Sequence, residues 1–468
     1  MIELFFYGAA GEVTGSMHLV RWHGQWVALD CGLFQGRRAE SEAKNREWPL
    51  APRQLAALIV SHAHTDHTGR IPKLVKDGFG GPVYCSPATR DLCAIMLPDS
   101  AHIQQEDVFY INKKRKRKGL PPVEALYSYE DVVPALGQFR TIALNHWFEV
   151  LSGLRARFLE AGHMLGSCGI ELEFDAGGGR PLRLYFSGDL GRRNTPILRD
   201  PAPFPQADYV ICESTYGGRE HGPAADAQRV FRDVVRAALE RGGKVIIPAF
   251  SVGRTQTIVY FLHRALAAGE LPRVPVFVDS PLAVAASEVF RMHPDCFDVE
   301  ASAFQQETGD ILGNGCCVYI RNVEESKALH RRRKPCVIIS ASGMCESGRI
   351  QHHIKNNIGQ ERNLFVFPGF QAENTLGRKI VDGARKINLF HETRHVRAQV
   401  VQIDGFSGHA DRTGLLRMLT PLAGNATRVF LVHGETAQRA ALAAELRARG
   451  FAAVEEPLRG QRFTLVEG

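Results

Sequence analysis

Six positions constrain this chain more than any other stretch: His62-Ala63-His64-Thr65-Asp66-His67, which follow the apolar run Ala57-Leu58-Ile59-Val60 and Ser61. An apolar β-type run, a polar turn and then Arg70-Ile71-Pro72-Lys73-Leu74-Val75 read as a strand that ends, loops and begins a helix. The four metal-competent side chains therefore lie at a strand's carboxyl end. Histidines two apart on a loop can direct both imidazoles at one metal, while an aspartate and a histidine one turn further on face a second metal beside it. The bland alternative is an aspartate capping a helix beside two surface histidines. The full pattern after a buried strand is far more specific than an isolated His-x-His. It cannot fill two coordination shells, so further ligands come from elsewhere in the chain.

The chain has 468 residues, 44% of them apolar, which predicts more than one domain and cores that need no staples. Ten scattered cysteines without a Cys-x-x-Cys pair read as reduced thiols in a cytoplasmic protein. The opening residues lack the basic and apolar regions of a signal peptide, and no apolar run reaches membrane-spanning length. A net charge of +7 is compatible with a polyanionic partner. The densest charge run, Asn112-Lys113-Lys114-Arg115-Lys116-Arg117-Lys118-Gly119, reads as a solvated helix end or loop, a nucleic-acid contact or a localisation signal.

Residues 1–212 alternate short β-type runs with glycine-rich turns and few helices, as expected for sheet on sheet with helices outside. From about 215 to 394 helices and buried strands alternate, the pattern of a largely parallel α/β unit. After 395 the β-rich style returns, with Ala398 to Ile403 as its first strand. This predicts a first domain in two parts, 1–212 and 395–468, with 213–394 inserted between them.

Further candidate ligands recur near strand ends. His163 lies in Ala161-Gly162-His163-Met164-Leu165-Gly166, where glycines allow close backbone approach. Asp189 ends Ser187-Gly188-Asp189, and its two oxygens could bridge two metals. Asp30 in Leu29-Asp30-Cys31-Gly32 has an ordinary reading as a turn residue. Glu213, His409 (in Ser407-Gly408-His409) and His433 (in Val432-His433-Gly434) each read as sitting just beyond a strand.

Over essentially its whole length the chain resembles metallo-β-lactamase-fold nucleases carrying a β-CASP domain. Asp30, the His62 to His67 motif, His163 and Asp189 match the metallo-β-lactamase motifs, and Glu213, His409 and His433 match β-CASP motifs A, B and C. The resemblance implies an α/β fold, a metallo-β-lactamase αββα sandwich with an inserted α/β β-CASP domain, holding two zinc ions. One zinc would be bound by His62, His64, His163 and bridging Asp189, the other by Asp66, His67, Asp189 and His433. Asp30 would orient the ligand loop, and His409, hydrogen-bonded by Glu213, would be the general acid, with Asp66 also counted among the catalytic residues. The implied reaction is hydrolysis of RNA phosphodiester bonds by a two-metal hydroxide attack, leaving a 5′-phosphate and a 3′-hydroxyl.

Within this superfamily a histidine at motif C, here His433, goes with RNA, so single-stranded RNA is the expected partner, with no membrane and with a homodimer left open. Ser251 and Arg254 in Pro248-Ala249-Phe250-Ser251-Val252-Gly253-Arg254, and Ser340 and Ser342 in Ser340-Ala341-Ser342-Gly343-Met344, read as phosphate cradles at helix starts, or as ordinary caps. Ser407 joins them as a phosphate-binding candidate. Internal cleavage is favoured over 5′-exonuclease action. A small-molecule hydrolase of the same fold acting on a thioester or lactone, and a metal-free RNA-binding scaffold, are the rival readings.

Overall fold

The computed structural model of the chain describes residues 2–466 apart from 176, 178, 223 and 314. Two compact units divide it. The first takes the residues up to Arg193, Asp200–Glu220 and everything from His409 onward, and the second takes Asn194–Arg199 and His221–Gly408.

The first unit opens with β1 (Ile2–Gly8), β2 (Met17–Trp22), β3 (Gln25–Leu29), β4 (Leu55–Ile59), β5 (Val83–Cys85) and β6 (Phe139–Thr141), bonded side by side in that order. A second sheet follows from β7 (Trp147–Leu151), β8 (Leu154–Glu160), β9 (Cys168–Phe174), β10 (Leu182–Phe186) and β11 (Tyr209–Glu213). The second unit holds β12 (Lys244–Pro248), β13 (Val276–Asp279), β14 (Cys317–Ile320), β15 (Cys336–Ser340), β16 (Leu364–Phe367), a hairpin of β17 (Lys386–Leu389) and β18 (Glu392–His395), and β19 (Gln399–Gln402). Its main sheet is parallel, in the order β14-β13-β15-β12-β16-β19. The chain then returns to the first unit, where β20 (Arg428–Val432) and β21 (Val454–Glu455) extend the second sheet beyond β11 and β22 (Arg462–Val466) pairs with β1.

Alternation builds the core of the first unit. Ile2, Leu4 and Phe6 of β1 point the same way as Val20, Val27, Leu29 and Ile59, because side chains two apart share a face. They meet Phe158, Ile170, Leu172, Phe186, Ile211 and Phe430 of the second sheet. Burying side chains of this size contributes about 1.5–3 kcal/mol each, which makes the two sheets a firm floor for the loops at their ends. The outward face of the second sheet, with Val210, Cys212, Val429 and Leu431, is covered by Leu415 and Leu419 of the Arg412–Leu419 helix and Leu442 and Leu446 of the Thr436–Ala448 helix. In the second unit the strands are apolar on both faces, as in Val245-Ile246-Ile247 and Val337-Ile338-Ile339, which suits a parallel sheet covered on both sides.

Three expectations need correction. The inserted unit begins at 221, not 213, because Glu213 is still a rung of the first unit's sheet, opposite Val432. It ends at 408, not 394, because β19 pairs in parallel with β16 and so belongs to the inserted sheet, although its composition matches the β-rich style of the last segment. Residues 1–212 also carry more helix than expected, above all Pro87–Arg117. Its start was written in the sequence, with Ser86 accepting from the Thr89 N–H and Pro87 at the first helical position. Its length was hidden because buried residues occupy only its first half, so no apolar stripe runs through it.

Candidate metal centre

β4 delivers the chain to Ser61 and His62, and the ligand loop closes in the short Thr65–Thr68 helix. The loop is stitched from below by the turn after β3 and by the residue that precedes β2. Cys31 N–H donates to the His67 carbonyl, Leu33 N–H to Thr65, and Ser16 N–H to Asp66, each at 2.8 Å. Gly32 has to be glycine, since a Cβ there would lie 1.5 Å from the Asp66 carbonyl oxygen. Asp30 heads this turn with φ +62°, a left-handed conformation that aspartate tolerates.

The donor atoms converge in two sets. His64 Nδ1 lies 3.1 Å from His62 Nε2 and 3.2 Å from His163 Nε2, and Asp189 Oδ2 lies 3.5 Å from His62 Nε2 and 3.6 Å from His163 Nε2. His67 Nε2 lies 3.2 Å from His433 Nε2 and 3.3 Å from Asp189 Oδ1, with Asp66 Oδ2 3.5 Å from His433 Nε2. Asp189 thus faces one set with each oxygen, and its Oδ1 is buried without a hydrogen-bond partner. His62, His64, His163 and Asp189 form one group able to hold an ion, and Asp66, His67 and His433 another.

Hydrogen bonds behind three rings orient these donors. His67 Nδ1 donates to Asp30 Oδ2 at 2.7 Å. His62 Nδ1 lies 3.0 Å from Ser61 Oγ, which gives its own proton to Asp30 Oδ2 at 2.9 Å. His433 Nδ1 lies 3.1 Å from Thr215 Oγ1, which donates to the His433 carbonyl. With each Nδ1 engaged, each Nε2 faces the cluster and offers its lone pair there when the ring is neutral, the arrangement that metal-ligating histidines require. Burial pushes His62 and His64 toward the neutral form that ligates. Burial opposes ionisation of Asp189, yet His433, His67 and His62 hold its carboxyl well below the usual range. Imidazole nitrogens with carboxylate oxygens, converging around a partnerless oxygen, fit zinc-type ions.

Beside this cluster stands a pair with a different geometry. Glu213, fully buried at the end of β11, accepts from Leu190 N–H at 2.6 Å and from His409 Nδ1 at 3.1 Å. Burial disfavours the imidazolium of His409, but the Glu213 carboxylate outweighs it and raises the ring to about 9. His409 is not just beyond a strand, as its sequence context indicated. It follows the Asp404–Phe406 turn and is pinned by a bridge to Gly191, with Ala410 N–H donating to Leu190.

Three protein-family models match this chain. The metallo-beta-lactamase superfamily covers residues 10–249, the Beta-Casp domain 255–380, and the Zn-dependent metallo-hydrolase RNA specificity domain 393–455. The chain is a β-CASP member of the metallo-β-lactamase superfamily. It is therefore a metal-dependent hydrolase by family. Among curated relatives, "Ribonuclease TTHA0252" of Thermus thermophilus is 38% identical over 95% of this chain and 96% of its own length. "Transcription termination factor FttA" of Methanosarcina mazei is 32% identical over 92% of this chain and 66% of its own length. A crystal structure of a protein of unknown function from Enterococcus faecalis V583 superposes with a TM-score of 0.56 at 13% identity, covering 99% of this chain and all of that one, which shows the fold alone.

All the ligand candidates of this β-CASP protein, with Asp30, Glu213 and His409, belong to the first unit, while the phosphate candidates belong to the second. Ser251 Oγ lies 3.2 Å from Ser280 Oγ, and Arg254 begins the Arg254–Ala267 helix. Ser340 does not present its hydroxyl as expected, because it is buried and donates to the Asp279 carbonyl at 2.8 Å. The turn after it is no helix start either, since the next helix begins at Ile350. Ser342 Oγ is buried without a partner, and Ser407 follows the Asp404–Phe406 turn.

Nothing in the sequence pattern singles out the supporting roles of Ser16, Ser61 and Thr215, and a fourth supporting residue is Arg70. Arg70 is fully buried, with Nε donating to the Gly32 carbonyl at 2.6 Å and its guanidinium over the rings of Trp48, Phe34 and Tyr7. Its signal was available, as a cation between the metal motif and an apolar helix start.

Proposed function

We propose that this β-CASP protein is a zinc-dependent ribonuclease that cuts RNA internally and leaves a 5′-phosphate and a 3′-hydroxyl. The observation that carries the reading is the Glu213–His409 pair set against two converged ligand sets: His409 Nδ1 lies 3.1 Å from Glu213 and 3.9 Å from Asp189 Oδ2. The RNA assignment is supported by the family model for RNA specificity, whose 393–455 span takes in both His409 and His433. One zinc would be held by His62, His64, His163 and Asp189, and a second by Asp66, His67, His433 and Asp189. Zinc bound there would generate a nucleophile from water near neutral pH and offset charge on a phosphoryl oxygen.

The chain's own residues supply what remains. Departure of an alkoxide requires a proton. Glu213 holds His409 by Nδ1, so Nε2 is the atom that presents a proton outward. The carboxylate keeps the ring charged until transfer, and the Leu190 N–H keeps the carboxylate in place. Asp30, Ser61 and Thr215 hold the ligand rings in one tautomer, so the ligand frame does not rearrange during turnover.

The test pairs metal analysis with cleavage of a linear 5′-monophosphorylated RNA and a circular RNA. Two zinc ions per chain and a cut circle support the proposal. Stepwise release from the 5′ end with the circle intact makes the enzyme an exonuclease, and full zinc occupancy with neither RNA cleaved refutes the RNA reading. His409→Ala is expected to keep its zinc and lose most cleavage, whereas Asp189→Ala loses zinc as well.

A further inference from the structure

The Pro87–Arg117 helix starts on the metal loop and ends in solvent. Ser86 Oγ and Thr89 Oγ1 both donate to the Gly166 carbonyl, at 2.6 and 2.9 Å, three residues beyond His163. The first half of the helix buries Leu92, Cys93, Met96, Leu97 and Ala101, and no residue of the helix after Ala101 is buried. The projecting half is nevertheless fixed in place. The Asn112 side chain donates to the Val123 carbonyl at 2.8 Å and accepts from the Val123 N–H at 2.9 Å, and Arg115 Nε donates to the Pro121 carbonyl at 2.6 Å.

Two large rings stand exposed on this projection. Phe109 is 66% and Tyr110 62% exposed, with ring centroids 5.6 Å apart. Helical spacing sets Lys113 and Lys116 in line with Phe109, and Lys114 and Arg117 in line with Tyr110. Among the described residues, none of the six cations from Lys113 to Lys118 has a carboxylate partner, although Arg38 pairs with Asp107 and Arg46 with Glu42 close by. A favourable helix dipole accounts for one or two cations in a last turn. It does not account for six consecutive like charges, nor for two solvated aromatic rings one turn before them. Aromatic platforms interleaved with unpaired cations are the features that bind single-stranded nucleic acid, bases on the rings and phosphates on the cations.

We propose that the projecting end of the Pro87–Arg117 helix is an RNA-anchoring surface, in which Phe109 and Tyr110 stack on unpaired bases while Lys113, Lys114, Lys116 and Arg117 hold the adjoining phosphates. The inference rests on the ribonuclease reading and adds a place where substrate outside the cleavage site is gripped. From Cys93, which lies against Thr68 of the ligand loop, to Phe109 the helix still rises about 24 Å at 1.5 Å per residue. Oligonucleotides of a few residues bound at the metal centre cannot reach that far.

The test uses the full-length, zinc-loaded chain and two variants, Phe109→Ala/Tyr110→Ala and Lys113→Gln/Lys114→Gln/Lys116→Gln/Arg117→Gln. Binding is followed by anisotropy, in the His409→Ala background, with a labelled unstructured RNA of about 30 nucleotides and with a duplex of equal length, both long enough to span several stacking positions. Cleavage of the long RNA and of a short oligonucleotide is followed in the otherwise unchanged enzyme. The cation variant is expected to lose about tenfold or more in affinity for the long RNA, with a salt slope shallower by about 3, the value for four phosphate contacts on a single strand. The ring variant is expected to lose about tenfold on the single strand and nothing on the duplex. Both should raise KM for the long RNA and leave the short one unaffected.

Unchanged affinity and slope in both variants, with a parent that binds and cleaves RNA, overturn the anchoring surface and leave the ribonuclease reading standing. Equal losses on single strand and duplex in the ring variant overturn the stacking role. Anionic vesicles retained by the parent and released by the cation variant, with RNA binding unchanged, would assign the surface to membranes instead. A parent that neither binds nor cleaves RNA overturns both readings together.

Discussion

Replacing Asp30 by asparagine tests how the ligand rings are aimed. The substitution keeps volume and shape, and asparagine tolerates the φ of +62° at this position as well as aspartate does, so backbone strain does not confound the result. In the native site the carboxylate accepts from Ser61 N–H at 2.8 Å, Ser61 Oγ at 2.9 Å, Ser16 Oγ at 3.2 Å and His67 Nδ1 at 2.7 Å. Asparagine keeps the first of these through its oxygen and turns a donor toward the others. The two serine hydroxyls can rotate to accept. His67 can accept only by moving its proton to Nε2, the atom that faces His433 and Asp189. One ligand lone pair is then lost from the set formed by Asp66, His67 and His433. Loss of such an orienting partner lowers metal affinity about 10–100-fold, or roughly 1.4–2.7 kcal/mol. Competition with a chromophoric chelator should show one of two zinc sites weakened by that factor, while the site of His62, His64 and His163 is retained. Two sites of parental affinity in Asp30→Asn would refute the tautomer argument.

Further substitutions probe the frame. Gly32→Ala puts a Cβ within 1.5 Å of the Asp66 carbonyl, so the ligand loop must shift, and metal analysis should show zinc lost. Arg70→Lys replaces a planar fork by a point charge that cannot reach the Gly32 and Glu47 carbonyls together. A loss of about 2–3 kcal/mol from missing charge-assisted hydrogen bonds should appear in denaturant unfolding, and an unchanged midpoint would show that Arg70 carries no structural load. His18 is buried between the rings of Phe6 and Phe186, and burial lowers it to about 3 from an ordinary 6.5. Because its folded-state pKa is depressed, its neutral form stabilises the fold above pH 6.5, and this stability is lost as pH falls from 6.5 toward 3. The parent should lose stability over that window more steeply than His18→Leu, by up to about 1.4 kcal/mol per pH unit. Parallel pH curves would contradict this.

The metal motif was legible because its residues are contiguous and their chemistry is unusual at the end of an apolar strand. His163, Asp189 and His433 were legible only together, since each alone is an ordinary loop residue, and it is the parallel run of β10, β11 and β20 that brings Asp189, Glu213 and His433 to one edge. The orienting contacts of Ser16, Ser61 and Thr215 were not legible, because a serine or threonine beside a turn has many uses and only the fold chooses one. Segment style misplaced β19, whose sheet is set by pairing with β16 and not by its composition. The Ser340 turn looked like a phosphate cradle for a similar reason: sequence shows the hydroxyl but not that it turns inward to Asp279.

The most direct test of the account is a zinc titration of chelator-stripped protein, read by cleavage of an end-labelled RNA in parent and His409→Ala at equal metal content. A two-zinc ribonuclease with His409 as its acid shows no cleavage without zinc, full recovery in the parent at two equivalents, and a zinc-replete His409→Ala that stays largely inactive. Cleavage by the stripped protein, or a zinc-loaded His409→Ala as active as the parent, would contradict it.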